Sequence, residues 1–161
     1  MAPSVRANVL IVDPQPLVAR GLASLLRDEV GVNAFMSSSR KEVLAAEIAD
    51  YHPEVVVLGV GASMDAALGL ARVVLESDEG SRLVVLLDPQ SDLSAADFVR
   101  LGMSSVISRD ASLDEVVLAI RQVLAGQKAL DGQMASRLIA ELSVAVRRAD
   151  QGQRDGGLTK R

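Results

Sequence analysis

The 161-residue chain contains no cysteine and no tryptophan, and only 2% of its residues are aromatic. The absence of cysteine excludes disulfides, thiolate metal sites and thiol catalysis, and it is compatible with a reducing compartment. Hydrophobic residues nevertheless make up 49% of the chain, so the core must be built from Val, Leu, Ile and Ala. Such a composition favours buried parallel strands that are covered by helices.

Long apolar segments are also missing. The first apolar run, at 9–12, is too short for the core of a signal peptide and is ended by Asp13. No stretch approaches the roughly 20 apolar residues that a membrane span needs. We therefore expect a cytoplasmic protein with no membrane partner. The net charge of −4 argues against nucleic-acid binding by this segment alone, because phosphate contacts need clustered Lys and Arg.

Short apolar runs alternate with amphipathic segments along residues 9–126. The runs predict five strands, at 9–12, 32–36, 55–58, 83–87 and 105–108. Consecutive strand–helix units imply right-handed crossovers, so the pattern predicts a doubly wound α/β fold, in which a parallel sheet carries helices on both faces.

Individual residues predict where the helices begin and which side faces the core. Ser39 and Glu42 have the spacing of a capping box, and Ser63 or Asp65 is expected to cap the third helix. Ser112 is expected to cap the fifth. A fourth helix is expected from 92 to 101, ending at Gly102 in a left-handed conformation. In the first helix, which opens at Pro16, the residues expected on the inner side are Leu17, Val18, Leu22, Leu25 and Leu26.

A further helix is expected after the domain, over residues 131–149. Its apolar residues Met134, Leu138, Leu142 and Val146 recur every four positions. A lone helix of this length is marginal in water, so the stripe should pack either on its own domain or on a second subunit. Both alternatives stay open, and the four residues are the candidate dimer contacts. Residues 151–157 are polar and Gly-rich, which is typical of a flexible linker.

In an open parallel sheet, sites form at the carboxyl ends of the strands. An ion pair between Asp13 and Arg109 is expected there, with a ligand contact of Asp13 as the alternative. Gly61, Ser63 and Asp88 are candidate ligand or anion contacts. No nucleophile–base pair, complete cofactor loop or metal-ligand cluster can be recognised in the sequence. We therefore expect no enzyme activity, no cofactor and no metal.

Three segments resemble the receiver domains of bacterial response regulators of the NarL/FixJ type. They are VLIVDPQPLVARGL at 9–22, PEVVVL at 53–58 and RDAS at 109–112. The resemblance implies a flavodoxin-like sheet in the order 2-1-3-4-5, a receiver domain over 1–126 and a linker over 127–157. The last residues, LTKR at 158–161, resemble the start of a LuxR-type helix-turn-helix domain, so we expect the chain to be truncated before that domain.

Receivers of this family bind Mg²⁺ through an acidic cluster and accept phosphate on an aspartate at the end of strand three. A hydroxyl on strand four and a lysine after strand five hold the phosphoryl group. Of the paired acids, the resemblance leaves Asp13 and replaces the second with Pro14. The other positions that depart from the family pattern are Gly59 at the acceptor, Leu87 at the hydroxyl, Val106 at the aromatic switch and Arg109 at the lysine. Because glycine has no group to phosphorylate, we interpret the pocket as degenerate.

These observations predict an atypical response regulator that controls transcription without phosphorylation. Its receiver would form a homodimer and act as a dimerisation and sensing module for a C-terminal domain that binds DNA. A protein partner, or a small molecule in the vacated pocket beside Leu87 and Val106, would regulate it. The alternatives are a stand-alone pseudo-receiver that docks another protein and a small-molecule-sensing domain.

Overall fold

The computed structural model describes residues 6–29, 31–77, 80–91, 94–102 and 105–158, without the side chains of 154–158. The strands are β1 (Ala7–Val12), β2 (Val32–Met36), β3 (Val55–Gly59), β4 (Arg82–Leu87) and β5 (Val106–Ser108). The helices are α1 (Pro16–Arg27), α2 (Lys41–Tyr51), α3 (Met64–Leu75), α4 (Ala95–Arg100), α5 (Leu113–Leu124) and α6 (Gly132–Leu158). All strand pairs are parallel and the order is β2-β1-β3-β4-β5, which confirms the predicted fold class and strand order.

Helices cover both faces of the sheet. Buried residues of α1 and α5 pack on one face, and buried residues of α2, α3 and α4 pack on the other. All five residues of β3 are buried, as expected for a strand covered on both sides. The observed strand bounds differ from the predicted ones by at most two residues. None of the helices in the described part of the chain is long and apolar enough to cross a membrane.

Two of the three predicted N-caps are present. The Ser112 hydroxyl accepts a hydrogen bond from the Glu115 N–H, and the Glu115 carboxylate completes a capping box. The Ser63 hydroxyl accepts from the Ala66 N–H at 3.2 Å. The capping box predicted at Ser39 is wrong, because α2 begins one residue later than that pattern requires, with Arg40 at the N-cap, and Ser39 has a left-handed φ of 62°.

The inner side of α1 differs from the prediction. Leu17 is 83% exposed and Leu25 is 51% exposed. Leu26 is buried as predicted, and Ala19 and Ala23, which the prediction left out, are buried with it. The alanines fill the contact between α1 and the sheet, and the larger leucines are displaced to the rim. The predicted inner side of α1 was therefore rotated away from the true one, because the prediction considered only large apolar residues.

Two helix bounds also differ. α4 begins at Ala95, whereas the prediction began at 92, which lies outside the described residues. The predicted left-handed end at Gly102 is confirmed by its φ of 92°. α6 continues to Leu158, so the prediction of a flexible linker over 151–157 is corrected, since that stretch is helical. Most of the predicted helix-turn-helix start, 159–161, lies outside the described residues.

The start of α6 is joined to the sheet. Val106 donates its N–H to the Ala129 carbonyl at 3.0 Å, and the Ser105 hydroxyl accepts from the Ala129 N–H at 3.2 Å. The Asp131 carboxylate accepts N–H groups of Ser108 at 2.7 Å and of Met134 at 2.8 Å. These bonds explain why α6 packs against its own domain from its first turn.

Met134 is fully buried in the core between the sheet and α4. Its proposed role as a dimer contact is therefore corrected, because its side chain is already enclosed by its own subunit. Leu138 is half-buried, and Leu142 and Val146 are exposed. The alternative that the stripe covers its own domain thus holds for the first part of α6 only.

Candidate functional site: an ion pair at the carboxyl edge of the sheet

The register of the sheet brings the strand ends together. Val12 of β1 pairs with Leu58 of β3, and Gly59 pairs with Leu86 of β4. Leu87 pairs with Ser108 at the end of β5. The residues at and just beyond these ends, among them Asp13, Gly59, Asp88 and Arg109, therefore lie along one edge of the sheet, as the sequence predicted.

An ion pair occupies the centre of this edge. Nη1 of Arg109 lies 2.9 Å from Oδ2 of Asp13, with 2% of the Asp13 side chain and 21% of the Arg109 side chain exposed. Oδ1 of Asp13 accepts the Gln15 N–H at 2.9 Å. Arg109 Nη1 also donates to the Val60 carbonyl at 3.4 Å. Both carboxylate oxygens therefore have donors, and the predicted pairing of Asp13 with Arg109 is present.

Gly59 lies directly against this ion pair. A Cβ at this position would lie 1.8 Å from Oδ2 of Asp13 and 2.8 Å from Nη1 of Arg109. Real Cβ atoms do not approach other atoms so closely, so any side chain at 59 requires the pair to move. The volume in front of β3 is filled by Asp13 and Arg109.

The backbone of Asp13 is held by a residue of the β2–α2 connection. The Ser39 hydroxyl donates to the Asp13 carbonyl at 2.7 Å, and the left-handed φ of Ser39 of 62° is a conformation that costs a non-glycine residue energy. The sequence does not indicate this contact, because the spacing of Ser39 and Glu42 is that of a helix cap.

An open cleft of about 380 Å³ borders the ion pair. Its lining residues are Pro14, Gln15, Val60, Gly61, Ala62, Asp88, Ser91 and Arg109. Of the candidate ligand contacts, Gly61 and Asp88 line the cleft, whereas the Ser63 hydroxyl serves as the α3 cap. The expectation that Leu87 and Val106 would flank a bound molecule is wrong, because both are fully buried in the core.

The rim of the cleft is held by α6. The Arg137 guanidinium donates to the carbonyls of Asp88 at 2.8 Å and of Pro89 at 3.2 Å, and also to the carbonyl of Ser91. One arginine therefore binds three backbone carbonyls of the β4–α4 loop. The sequence signals gave no indication of this contact, which joins residues almost 50 positions apart.

Glu141 caps α4 from a different helix. Its carboxylate accepts the N–H groups of Ala95 at 3.2 Å and of Ala96 at 2.9 Å, and the Ser94 hydroxyl at 3.0 Å. Arg137 Nε donates to the same carboxylate at 3.2 Å. Burial by itself raises the pKa of Glu141, but these hydrogen bonds together hold it below its ordinary value. The carboxylate therefore satisfies N–H groups that the first turn of α4 leaves unpaired.

The residues at this edge do not fit a Mg²⁺ ion. Such an ion needs hard oxygen ligands, including one or two free carboxylates. The Asp13 oxygens are engaged by Arg109 and by the Gln15 N–H, and Pro14 stands where a second acid would be required. Within the described ranges, no group of three potential metal-ligating side chains is found.

Comparisons with known proteins give related sequences and folds. No family model matches the chain. It is 29% identical over 131 residues to response regulator GacA of Pseudomonas aeruginosa, covering 81% of this chain and 61% of that protein. It is 28% identical over 143 residues to the DNA-binding transcriptional activator DevR/DosR of Mycobacterium tuberculosis, covering 89% and 66%. The chain is homologous to response regulators. It spans about two thirds of these relatives' length or less.

Solved structures agree on the receiver-domain fold. A two-component response regulator of the LuxR family from Aurantimonas sp. SI85-9A1 matches with a TM-score of 0.68 at 19% identity, covering 86% of this chain and 99% of that one. The isolated REC domain of RcsB from Salmonella enterica serovar Typhimurium matches with a TM-score of 0.69 at 18% identity, covering 84% and 99%. At these identities the likeness shows the fold alone. The sheet and the helices described above therefore have the receiver-domain fold.

Proposed function

We propose that this chain is the receiver module of a transcription regulator that works without phosphorylation. The observation that carries the proposal is the Asp13–Arg109 pair against Gly59, since a Cβ there would meet Asp13 Oδ2 at 1.8 Å. The acceptor carboxylate of a receiver would have to occupy this volume. A cation and an anion of the chain itself already balance each other there, so position 59 offers no nucleophile and the Asp13 carboxylate is not free for Mg²⁺.

The contacts of α6 support the same proposal. In a phosphorylated receiver the phosphoryl group links the strand ends to the fourth strand through a hydroxyl. Here position 87 is a fully buried Leu, and the loop after β4 is held by Arg137 instead. Contacts from α6, the helix that follows the domain, thus hold the β4–α4 region in place without a covalent modification.

DNA binding and dimerisation enter the proposal from the relatives and from the exposed part of α6. DevR/DosR is named as a DNA-binding transcriptional activator, and we propose that this receiver serves a DNA-binding domain as a homodimer, without an enzymatic step. The chain's net charge of −4 makes this segment itself a poor ligand for DNA.

Incubation with a small phosphodonor and Mg²⁺, followed by intact-mass analysis, tests phosphorylation independence. We expect no added phosphate under conditions in which a receiver with an aspartate acceptor is modified. Mass spectrometry of peptides would place any phosphate that did appear. A stoichiometric adduct on Asp13 or Asp88 would overturn the proposal.

A second candidate function is recognition of a small polar effector in the cleft of about 380 Å³. The observation that favours it is the presence of opposite charges, Arg109 and Asp88, on the cleft lining. Calorimetric titration of zwitterionic and anionic metabolites into the chain tests this function. Binding that is lost in Asp88→Ala and kept in Asp65→Ala, an acidic residue at the start of α3, would support it, and no heat from any compound class would exclude it.

A further inference from the structure

α6 extends well past its last bonds to α4. Glu141 caps α4, and every described side chain of α6 from 142 to 153 is exposed. At 1.5 Å per residue, the helical stretch from 142 to Leu158 is about 25 Å long. A helix of this length with no partner is marginal in water, so this part of α6 needs a surface to pack against.

Three of the four large apolar residues that are exposed on the described part of α6 follow a heptad spacing, and Val144 lies outside it. Ile139 is 65% exposed, Leu142 is 48% exposed and Val146 is 59% exposed. Ile139, Leu142 and Val146 are three and then four positions apart. Ala135, four positions before Ile139, and Ala149, three positions after Val146, continue this alternation at both ends. We call the stripe formed by Ala135, Ile139, Leu142, Val146 and Ala149 the seam. This spacing of 3.5 residues on average is the one that keeps apolar residues along the contact line of a coiled coil.

The seam is separate from the side of α6 that contacts α4. With about 100° between successive residues, its centre lies roughly a third of a turn from the side that carries Met134, Arg137 and Glu141. The large exposed fractions of Ile139 and Val146 show that docking on α4 leaves the seam free. A partner helix can therefore pack on the seam while Glu141 still caps α4.

The residue types of the seam indicate what the partner is. Ile139 and Val146 fall at a positions and Leu142 falls at d, and β-branched residues at a with Leu at d favour a parallel two-stranded coiled coil. The flanking e and g positions from 136 to 145 are Ser136, Leu138, Ser143 and Ala145. None of these is charged, so two identical helices meet without like-charge repulsion.

We propose that the seam packs against the same seam of a second copy of this chain, as a parallel two-stranded coiled coil. The inference rests on the homodimer of the proposed function and names its interface. It retains Leu142 and Val146 from the candidate dimer contacts, adds Ile139, and removes Met134 and Leu138 from the contact line. The parallel arrangement brings the carboxyl ends of the two α6 helices together, as two domains that bind neighbouring half-sites require.

The first test is the mass of the 161-residue chain in solution by light scattering, with a matched pair of variants. Leu142→Glu places a charge in the seam, whereas Val144→Glu places it on an exposed position of the same helix outside the seam. We expect a dimer for the wild type and for Val144→Glu. In Leu142→Glu we expect the dissociation constant to rise by at least about tenfold, with unchanged helicity by circular dichroism.

The parallel orientation of the two α6 helices is tested by disulfide cross-linking. The native chain has no cysteine, so an introduced cysteine is the only one present. Val146→Cys is expected to form a disulfide-linked dimer on mild oxidation, since an a residue faces its own copy in a parallel coiled coil. Val144→Cys is the control and is expected to remain monomeric on a non-reducing gel.

The outcomes distinguish a parallel coiled coil through the seam from a dimer of another kind and from a monomer. A monomeric wild type, or a dimer that Leu142→Glu does not weaken, overturns the proposal and directs the search to a different protein or to another face of the domain. A dimer that is weakened by Leu142→Glu but not cross-linked through Val146→Cys overturns the parallel arrangement. None of these results depends on phosphorylation, which the phosphodonor experiment tests independently.

Discussion

The Asp13 carboxylate lies where a side chain on residue 59 would begin, since a Cβ on Gly59 would be 1.8 Å from Asp13 Oδ2. Nη1 of Arg109 holds the same oxygen at 2.9 Å and would itself lie 2.8 Å from that Cβ. The glycine, the aspartate and the arginine therefore form one steric and electrostatic unit. Reintroducing a side chain at position 59 would not by itself rebuild a phosphate acceptor, because the ion pair fills the space.

The first prediction concerns two glycines with opposite surroundings. Gly59→Ala should lower the free energy of unfolding by about 1–3 kcal/mol, because it overpacks a filled site. Gly21, in the middle of α1, has no atom within 4 Å of an added Cβ. Gly21→Ala should raise the free energy of unfolding by about 0.5–1 kcal/mol, because alanine loses less backbone entropy on folding. Urea denaturation measures both values, and equal effects of the two variants would contradict the steric account of Gly59.

Removing Arg109 should be costly. Arg109→Ala leaves the buried Asp13 carboxylate without its counter-charge, which destabilises by about 3–5 kcal/mol at fully buried pairs. Because 21% of the Arg109 side chain is exposed, we expect the lower end of that range. Arg109→Lys should recover part of the loss, since it keeps the charge but not the planar guanidinium.

The control for Arg109 is the exposed pair between Arg100 and Asp97, 3.0 Å apart with side chains 66% and 40% exposed. Arg100→Ala should cost less than about 1 kcal/mol, as surface pairs generally do. Thermal or urea denaturation compares the two. A similar loss for Arg100→Ala and Arg109→Ala would show that the buried pair contributes no more than a surface pair.

The Glu141 cap should depend on pH. Because the pKa of Glu141 is held below its ordinary value of 4.5, the folded state binds fewer protons than the unfolded state at this group. Its stabilising contribution is therefore present above pH 4.5 and is lost as the pH falls through the lowered pKa. Hydrogen exchange at the Ala95 and Ala96 amides should accelerate in that acidic window, relative to exchange within α5.

A charge-neutral variant reproduces this effect at neutral pH. Glu141→Gln should accelerate exchange at the Ala95 and Ala96 amides, because a neutral oxygen is a weaker acceptor for the first turn of α4. Asp150→Asn, an exposed change on the same helix, should leave both amides unchanged. Equal protection in Glu141→Gln and in the wild type would mean that α4 does not depend on this carboxylate.

Met134 tests whether the first turns of α6 belong to the domain. Its side chain is fully buried, so Met134→Ala should lower the free energy of unfolding by about 2–5 kcal/mol. Val144→Ala, at a position 46% exposed, should change it by less than about 0.5 kcal/mol. A small effect of Met134→Ala would indicate that α6 detaches from the sheet in solution.

Local patterns were sufficient for most of the fold. The apolar run of β3 and the Ser112 cap of α5 are signals contained within one element, and both lie where the sequence predicts. Leu17 and Leu25 were misplaced because small residues, Ala19 and Ala23, make the close contact with the sheet. Side-chain size alone does not indicate which of two neighbouring faces of a helix lies closer to its neighbour.

The contacts of the candidate site also differ in how far the sequence predicts them. The Asp13–Arg109 pair was predictable, since both residues follow strands whose ends meet at one edge. The contacts of Ser39, Arg137 and Glu141 could not be predicted, because each joins elements that are distant in sequence. They depend on how α6 and the β2–α2 connection pack against the rest of the domain. The steric role of Gly59 also needed coordinates, since the sequence shows only that a side chain is missing.

The cap on α4 has a consequence for how the chain is made. α4 has only six residues, and the carboxylate that completes its first turn comes 46 positions after Ala95. At about 5–20 residues per second, the ribosome adds that residue roughly 2–9 seconds after it has added Ala95. During this interval the β4–α4 segment lacks both Glu141 and Arg137. In the newly made protein, this edge of the receiver is thus finished last, by a helix that is still leaving the ribosome.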